Sequence, residues 1–529
     1  MDDLYLHQKE AFEKFKDSNE IALFFEQGCG KSATALKIAE YKFDTGQIKQ
    51  ILVIAPNDVH HQWAYEQIPL WFKRTNNTVC LFGRGGSKKF IAPDDADEET
   101  CNIICVNIDT FSLNDKWKPV VEWARAKPTM IILDEATCIK NVESNRTQRL
   151  LTCFNDVVKS GRAVRSSTKL DNCKVRCVLT GTPVTNGPMD LWSIMEFVKP
   201  SFFGVNWFGF KQYYGMFTKM SVSGAAGFRQ ISVLLNENTW RSIKLCRDYQ
   251  MAYQVFGVSQ DTYFTIQSQD SYQGPYKNAQ ELRQKLQSTA MFKKIKDCID
   301  MPDQVFIERT MHLNKEQADA YKDLQSQMIT QYEGVTVTAL NKLTMATKLQ
   351  QVSSGFLYNS NVELDEDSDL TPDQVVWLGK SNPKLDMLLD DVAENDRPLI
   401  ILTRYSAEAA KIYDLLKDNY NVLLYTGWKK TGTLDDFKEG NYDILVANIR
   451  CIAFGFNLQV SHTTLYYSNT FSMELREQSQ SRTFRAGQKE VCKYIDYTNL
   501  GTIDEKIIKA LRHKKSMLEY FRTEEDNIL

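Results

Sequence analysis

The stretch "ALFFEQGCGKSATAL", residues 22–36, decides how the chain is read. An apolar run ends at Phe25, Glu26 and Gln27 lead into Gly28-Cys29-Gly30-Lys31-Ser32, and helix formers follow. A strand, a glycine turn and a helix in that order place backbone N–H groups and a helix N-terminus around an anion. In such a loop Lys31 reaches the β- and γ-phosphates of a nucleotide and the Ser32 hydroxyl sits on Mg2+. The complete pattern has a glycine where Phe25 stands, so the match is partial. Taken alone, "GCGKS" is equally an ordinary glycine turn.

A second stretch decides between those readings. "MIILDEAT", residues 130–137, sets Asp134 and Glu135 directly after an apolar run, at the C-terminal end of a buried strand, where ligands of α/β sheets lie. Asp134 can hold Mg2+ through water, and Glu135 can orient and deprotonate an attacking water. The bland alternative is a solvated acidic turn. A phosphate loop about a hundred residues upstream in the same unit lowers its weight.

Around these two points, "IALFF", "SATALKIAEYKF", "ILVIA", "DVHHQWAYEQIPLWF", "NIICVNI", "TMIILD" and "RCVLT" alternate strand-like with helix-like segments. This predicts a parallel sheet covered by helices over residues 1–200. The alternation stops near Pro200. From 201 to 380, polar helical segments such as "NAQELRQKLQSTAMFKKIKDCI" and "NKEQADAYKDLQSQMITQY" predict a mainly helical insertion, with the acidic "NSNVELDEDSDLTPDQ" as an exposed loop. Alternation resumes over 381–500 with "LIILT", "YNVLLYT", "YDILVAN", "TTLYYS" and "KYIDYT". Residues 501–529 predict a terminal helix opened by a capping box, with Thr502 as N-cap and Glu505 three positions on. The expected fold class is α/β: two parallel-sheet lobes with a helical insertion between them.

The bulk properties fit this division. A chain of 529 residues is too long for one ordinary core. With 43% hydrophobic and 25% charged residues it has a globular composition, and a net charge of −3 means that any polyanion contact must come from a local basic surface. No apolar run reaches the roughly 18 residues of a membrane span, and "MDDLYLHQKEAF" lacks a signal-peptide layout. The twelve cysteines include no C-x-x-C pair and are read as reduced structural thiols, Cys101 and Cys105 among them as strand residues. The protein is expected in the cytoplasm.

Further motifs narrow the class. "CVLTGTPVTNGPMDLW", with Thr180, Thr182 and Asn186, and the long stretch from Phe454 to Ile507, containing Gly455, Asn457, Gln478, Arg482, Arg485, Gly487 and Gln488, stand in the order of the superfamily-two helicase motors. The chain resembles the Swi/Snf branch of that superfamily over nearly its whole length. "HQKEAF", "VIAPNDVHHQW" and "IILTRYSAEA" resemble smaller motifs of it, and "FKKIKDCIDMPDQVFIERTMHLNKEQADAY" resembles the segment that returns from the helical insertion, with part of 300–315 rejoining the first lobe.

The resemblance implies two RecA-like lobes, ATP and Mg2+ as cofactors, and double-stranded DNA as the partner, held mainly through phosphates by a monomer. It implies ATP contacts at Gln8 on the adenine side and at Gly28, Cys29, Gly30, Lys31, Ser32 and Gly455, with Ser32 and Asp134 on the metal. Catalysis falls to Lys31, Asp134, Glu135, Arg482 and Arg485. The two arginines are expected three apart on one face of a helix, where the bland reading pairs them with Glu474 or Glu477. Coupling falls to Thr180, Thr182 and Gln478. Nucleic-acid contacts are expected at Asn57, Gln62, Trp63, Thr110, Thr426 and Gly427, with helix packing an equal reading for Trp63.

This sequence departs from the family pattern at several points. Thr137 is the fourth residue of the "DEAT" box, Ile452 and Ala453 stand where a glycine pair is usual, and "FKKIK" replaces paired arginines. The chain between Asn141 and Cys177 is longer than usual, and its basic "KSGRAVRSSTK" reads as a solvated insertion ahead of a DNA contact. The expected activity is an ATP-driven double-stranded DNA translocase of a compact prokaryotic or viral type. The alternatives are a strand-separating DNA or RNA helicase, the motor subunit of a restriction or defence assembly, and a non-hydrolysing DNA-binding module.

Overall fold

The computed structural model describes residues 4–57, 59–74, 76–83, 90–93, 99–112, 115–154, 158–159, 162–163, 172–224, 227–272, 274–327, 329–332, 335–338, 342–358, 375–453 and 456–522. The acidic segment 359–374, Phe454, Gly455 and most of the basic insertion lie outside these. The chain divides into two compact units. One comprises residues 1–26, 30–294 and 516–529, and the other comprises 27–29 and 295–515.

Among the described residues the first unit carries a seven-stranded sheet in which every pairing is parallel. Its strands are β1 (Glu20–Phe25), β2 (Gln50–Ala55), β3 (Asn77–Phe82), β4 (Cys101–Asn107), β5 (Thr129–Asp134), β6 (Val175–Leu179) and β7 (Ala290–Lys293), in the order β7-β1-β6-β5-β2-β4-β3. The central strands β2, β4 and β5 are buried along their whole length, as a parallel sheet with both faces covered requires. Two of these strands were not foreseen. β3 is only partly buried, and β7 sits in a stretch expected to be helical, where the helix ends at Gln287. β7 is a strand because it pairs with β1, Ala22 opposite Ala290 through Phe25 opposite Lys293. Its own four residues carry no alternation.

The second sheet is also parallel throughout. β8 (Gln304–Met311), β9 (Leu399–Thr403), β10 (Val422–Tyr425), β11 (Ile444–Asn448), β12 (Thr463–Tyr466) and β13 (Cys492–Asn499) run in the order β8-β13-β12-β9-β11-β10. This corrects the expected path of 300–315. That segment does not rejoin the first lobe but forms the edge strand of the second sheet, and β7 is the returning strand.

The expected insertion 201–380 is divided between the two units. Its first half falls within the first unit, where Met216, Trp240, Ile243, Val258 and Ile266 form a core of their own, and it contains a hairpin of Phe217–Gly224 with Gly227–Leu234. Its second half belongs to the second unit, where Leu324, Leu349 and Val352 share a core with Ile503, Ile507 and Leu511 of the C-terminal helix Ile503–Arg522. The first half closes a small core of its own, whereas the second shares its core with the C-terminal helix.

Thr502 caps that last helix by accepting from the Asp504 N–H at 3.2 Å. Asp504 then serves as a fastening. Its carboxylate takes the buried Lys384 ammonium at 3.0 Å and the Ser353 hydroxyl at 2.5 Å, joining three helices. Carboxylate, ammonium and hydroxyl are paired together, which is the condition for burying charge without a large penalty.

Lys348 is a less favourable case. It is 4% exposed, its Nζ donates to the Tyr358 carbonyl at 3.2 Å, and burial lowers its pKa from 10.5 to about 8. The unfolded chain therefore binds the extra proton between those values, so this cost is fully present at pH 7 and disappears as pH rises from 8 through 10.5. Lys348→Met is expected to stabilise the second unit by on the order of 2 kcal/mol at pH 7, with the gain shrinking above pH 8, as read from urea midpoints across pH.

Candidate functional site

β1 ends at Phe25, and after Glu26–Gly30 the helix Lys31–Asp44 begins. Gly28 (φ +87°) and Gly30 (φ +74°) adopt the left-handed conformation that side chains disfavour. At Gly30 the space is closed as well, because an added Cβ would lie 2.0 Å from Gln8 Nε2. Gln8 is 2% exposed, donates to the Gly30 carbonyl at 3.2 Å and accepts from the Tyr5 N–H at 2.8 Å. The same Gly30 carbonyl accepts from the Thr34 hydroxyl and N–H. The residue expected to read a base thus also braces the loop. Lys31 folds back over the turn, with Nζ donating to the carbonyls of Phe25 at 3.1 Å and Glu26 at 3.4 Å.

Asp134 ends β5, one strand beyond β6 from the loop strand β1. Its Oδ2 accepts from the Trp63 indole N–H at 2.7 Å and its Oδ1 from the Glu135 N–H at 2.9 Å. Burial raises the Asp134 pKa above the ordinary carboxylate value, against the opposing pulls of the Trp63 bond, the Lys31 charge and the Glu135 N–H. Glu135 is held at φ +49°, a conformation rare for a residue with a Cβ and concentrated at functional sites.

The turn after these carboxylates is tied to the "LTGTP" loop. Lys140 Nζ donates to Thr185 Oγ1 at 2.9 Å, and the Thr185 hydroxyl and N–H and the Asn186 N–H all donate to Asp190 Oδ2 at 2.8–2.9 Å. Ser193 Oγ and Thr147 Oγ1 both donate to the Ile139 carbonyl. Thr180 and Thr182 are buried; the Thr182 N–H donates to Thr180 Oγ1, and the Thr180 N–H donates to the Leu23 carbonyl of β1. With Thr137 as the fourth residue of the box, the box and the loop are joined through Lys140, Thr185 and Asp190.

The nucleic-acid candidates separate by burial. Trp63, Thr110 and Thr426 are at most 3% exposed, so their side chains are withdrawn from solvent in this structure. Trp63 is bonded to Asp134, and the Thr426 hydroxyl is used inside its own turn, accepting from the Lys429 N–H and donating to the Lys429 carbonyl. Asn57 and Gln62 are half-buried and Gly427 is exposed, so these three keep access to solvent. Asn57 accepts from Asn107 Nδ2 at 3.0 Å. Sequence reasoning missed Asn107, whose signal was its place at the end of a fully buried strand.

In the second unit the helix Met473–Gln480 stops before either arginine, correcting the expected shared helical face. Ser481 and Thr483 hydroxyls bond back to the carbonyls of Gln478 and Gln480, and Gly487 turns left-handed at φ +98°. Arg482 donates to the carbonyls of Gln478 and Phe456. Burial lowers the Arg485 pKa, and no described residue pairs with its guanidinium. Gln478 is 1% exposed, and neither its amide nitrogen nor its amide oxygen has a partner among the described residues.

Comparison with known proteins identifies the family. Residues 12–355 match the SNF2-related domain and residues 383–487 the helicase conserved C-terminal domain. The chain belongs to the SNF2-related family of helicase-like ATPases. Among curated relatives, it is 21% identical over 503 residues to a probable ATP-dependent DNA helicase, CHR12, of Arabidopsis thaliana, covering 92% of this chain and 39% of that one. It is 28% identical over 179 residues to the Rattus norvegicus SWI/SNF-related matrix-associated actin-dependent regulator of chromatin subfamily A containing DEAD/H box 1, covering 34% and 15% of the two chains. The chromatin-remodeling ATPase INO80 of Schizosaccharomyces pombe is 26% identical over 188 residues, covering 34% and 10%. The chain thus spans well under half the length of these relatives, all of them eukaryotic. The solved Sulfolobus solfataricus SWI2/SNF2 ATPase core in complex with dsDNA aligns over 98% of this chain and 92% of its own, at 18% identity and a TM-score of 0.38. Among the described residues no helix is long and apolar enough to cross a membrane, and no group of three or more His, Cys, Asp or Glu side chains is placed to hold a metal ion.

The Asp190 carboxylate oxygen that holds three donors is the most testable part of this loop. Asp190→Ala is expected to cost the first unit about 2–4 kcal/mol, and Asp190→Asn, which keeps an acceptor, about half of that, measured by chemical denaturation.

Proposed function

We propose that the protein is an ATP-hydrolysing translocase on double-stranded DNA, with hydrolysis centred at the C-terminal edge of the first sheet. One observation carries this reading. Parallel pairing brings the loop before Lys31, the Asp134-Glu135 pair and the Thr180–Thr182 loop to one edge of one sheet. That edge is where α/β sheets bind ligands.

Lys31 is assigned the β- and γ-phosphates. It would exchange its present carbonyl partners for phosphate oxygens, with N–H groups at the start of its helix supplying further donors. Ser32 and Asp134 are assigned the metal. A hydroxyl and a carboxylate are hard oxygen donors of the kind Mg2+ takes, and each Asp134 oxygen, bonded once, keeps a second lone pair. Bound Mg2+ supplies charge neutralisation on the phosphates. Glu135 orients and deprotonates the attacking water, Gln8 holds the adenine side while bracing Gly30, and Gly28 and Cys29 line the loop; Gly455 keeps its sequence-based assignment to ATP. Arg485, with Arg482 beside it, is assigned the γ-phosphate charge that grows in the transition state, and Gln478, Thr180 and Thr182 the coupling of that step to the track.

The track assignment rests on the Swi/Snf form of the motifs. Contacts at Asn57, Gln62 and Gly427 would be to phosphates, so binding is expected to fall steeply with salt and to vary little with base sequence. The protein is proposed to act as a monomer in the cytoplasm.

ATPase measured with no nucleic acid, single-stranded DNA, duplex DNA and RNA tests the reading, together with displacement of a third strand from a triplex. Duplex DNA is expected to stimulate most, with triplex displacement and no unwinding of a plain fork. Efficient fork unwinding, or stimulation by RNA alone, favours a helicase.

Lys31→Ala is expected to abolish turnover, and Glu135→Gln to bind ATP without hydrolysing it. Arg485→Ala is expected to lower turnover on the order of 10³-fold with ATP affinity little changed. Near-normal turnover in these variants would remove the assignment.

A further inference from the structure

Trp63 is withdrawn from the surface, and its position is specific. It lies 1% exposed on the segment that leaves β2, and its indole N–H reaches the carboxylate that ends β5, Oδ2 of Asp134, at 2.7 Å. Among the described residues this is the only side-chain hydrogen bond drawn to that carboxylate. The segment is an interrupted helix: Val59–Gln62 is α-helical, Trp63–Gln67 forms a π-helical turn, and Ile68–Trp71 resumes the α-helix. Pro69 accounts for the interruption. It has no N–H for the Tyr65 carbonyl and its ring would clash there, so the ladder shifts by one residue and the Ile68 N–H bonds to the Trp63 carbonyl. Single π-turns of this kind recur at functional sites.

The consequence is a two-faced segment. Asn57 and Gln62, which keep access to solvent, lie on the same short stretch as Trp63, which points at Asp134. We infer that Trp63 is a positioning residue that sets the Asp134 carboxylate for Mg2+ and conveys to it the state of the Asn57–Gln62 surface, so that duplex binding raises turnover through this one hydrogen bond. The inference rests on the proposed roles of Asp134 and of the Asn57–Gln62 surface. A merely structural tryptophan would need a partner for its N–H, but a main-chain carbonyl would serve. Here the partner is the carboxylate assigned to the metal, and partners of metal ligands of this kind typically change affinity or activity 10- to 100-fold when removed.

The test is Trp63→Phe, which keeps an aromatic ring in the buried position and removes the donor. Binding of ATP to the Glu135→Gln form is titrated with Mg2+, with and without Trp63→Phe, by calorimetry; this readout needs no turnover. Removing the donor is expected to raise the half-saturating Mg2+ concentration about 10-fold. In the hydrolysing protein it is expected to cut the ratio of duplex-stimulated to DNA-free turnover several-fold, with duplex affinity within twofold of wild type.

Should Trp63→Phe fail to fold, benzothienylalanine at position 63, with sulfur in place of the N–H at nearly the same shape, carries the same comparison. A folded variant with unchanged Mg2+ half-saturation and unchanged stimulation overturns the inference. A loss of stimulation matched by an equal loss of duplex affinity does so too, because Trp63 would then act on the track alone. If the protein without Trp63→Phe shows no Mg2+-dependent ATP binding, the proposed function itself fails, an outcome distinct from the other two.

Discussion

Everything at the candidate site depends on the parallel register of β5 between β2 and β6. Leu133 faces Ile54 on one side and Val178 on the other, so Asp134 becomes the last paired residue of the most buried part of the sheet. Because all seven strands run the same way, the residues that follow β1, β2, β4 and β6 emerge at that same edge. A single antiparallel strand would send its successor loop to the opposite edge. The chemistry is therefore set by apolar residues that take no part in it: Ile131, Ile132 and Leu133 are wholly buried and hold the carboxylates where the loop before Lys31 arrives.

Much of this was legible in the sequence for a simple reason. Strands buried on both faces must be continuously apolar, and "ILVIA", "NIICVNI" and "TMIILD" are. Glycines that need a positive φ must be glycines, which marks Gly28 and Gly30. The edge strands β7 and β8 obey neither rule. β7, with Lys293 at its end, and β8, with Glu308, Arg309 and Thr310 in a row, look like helix or loop, and only their partners β1 and β13 make them strands.

The functional residues divide along a similar line. Lys31, Asp134 and Glu135 follow strands whose ends can be read directly. Arg482 and Arg485 could not be placed by helical spacing, because Ser481 and Thr483 turn their hydroxyls onto the preceding carbonyls and end the helix at Gln480. Trp63 presented an ambiguity that spacing cannot resolve, since an aromatic residue after a strand suits a core and a binding surface equally well. Lys140 and Asp190 were not singled out at all. Their importance appears only through Thr185, which lies 45 residues from Lys140 in the chain and 2.9 Å from its ammonium nitrogen.

The edge strand β8 also bears on how the molecule is made. Its eight residues pair in register with β13, Gln304 opposite Cys492 through Met311 opposite Asn499, and Phe306 stacks on Tyr494. The partner strand is about 190 residues further along the chain. A ribosome adding roughly 5–20 residues per second leaves β8 without that partner for about 10–40 s. Val305 and Phe306 stay substantially exposed even in the finished fold, so throughout that interval the apolar Val305–Ile307 part of the strand is open to other nascent chains. The first sheet completes at Lys293, before β8 begins. The first sheet can therefore be in place while the second waits for its edge, and the interval of greatest exposure to misassembly falls within translation.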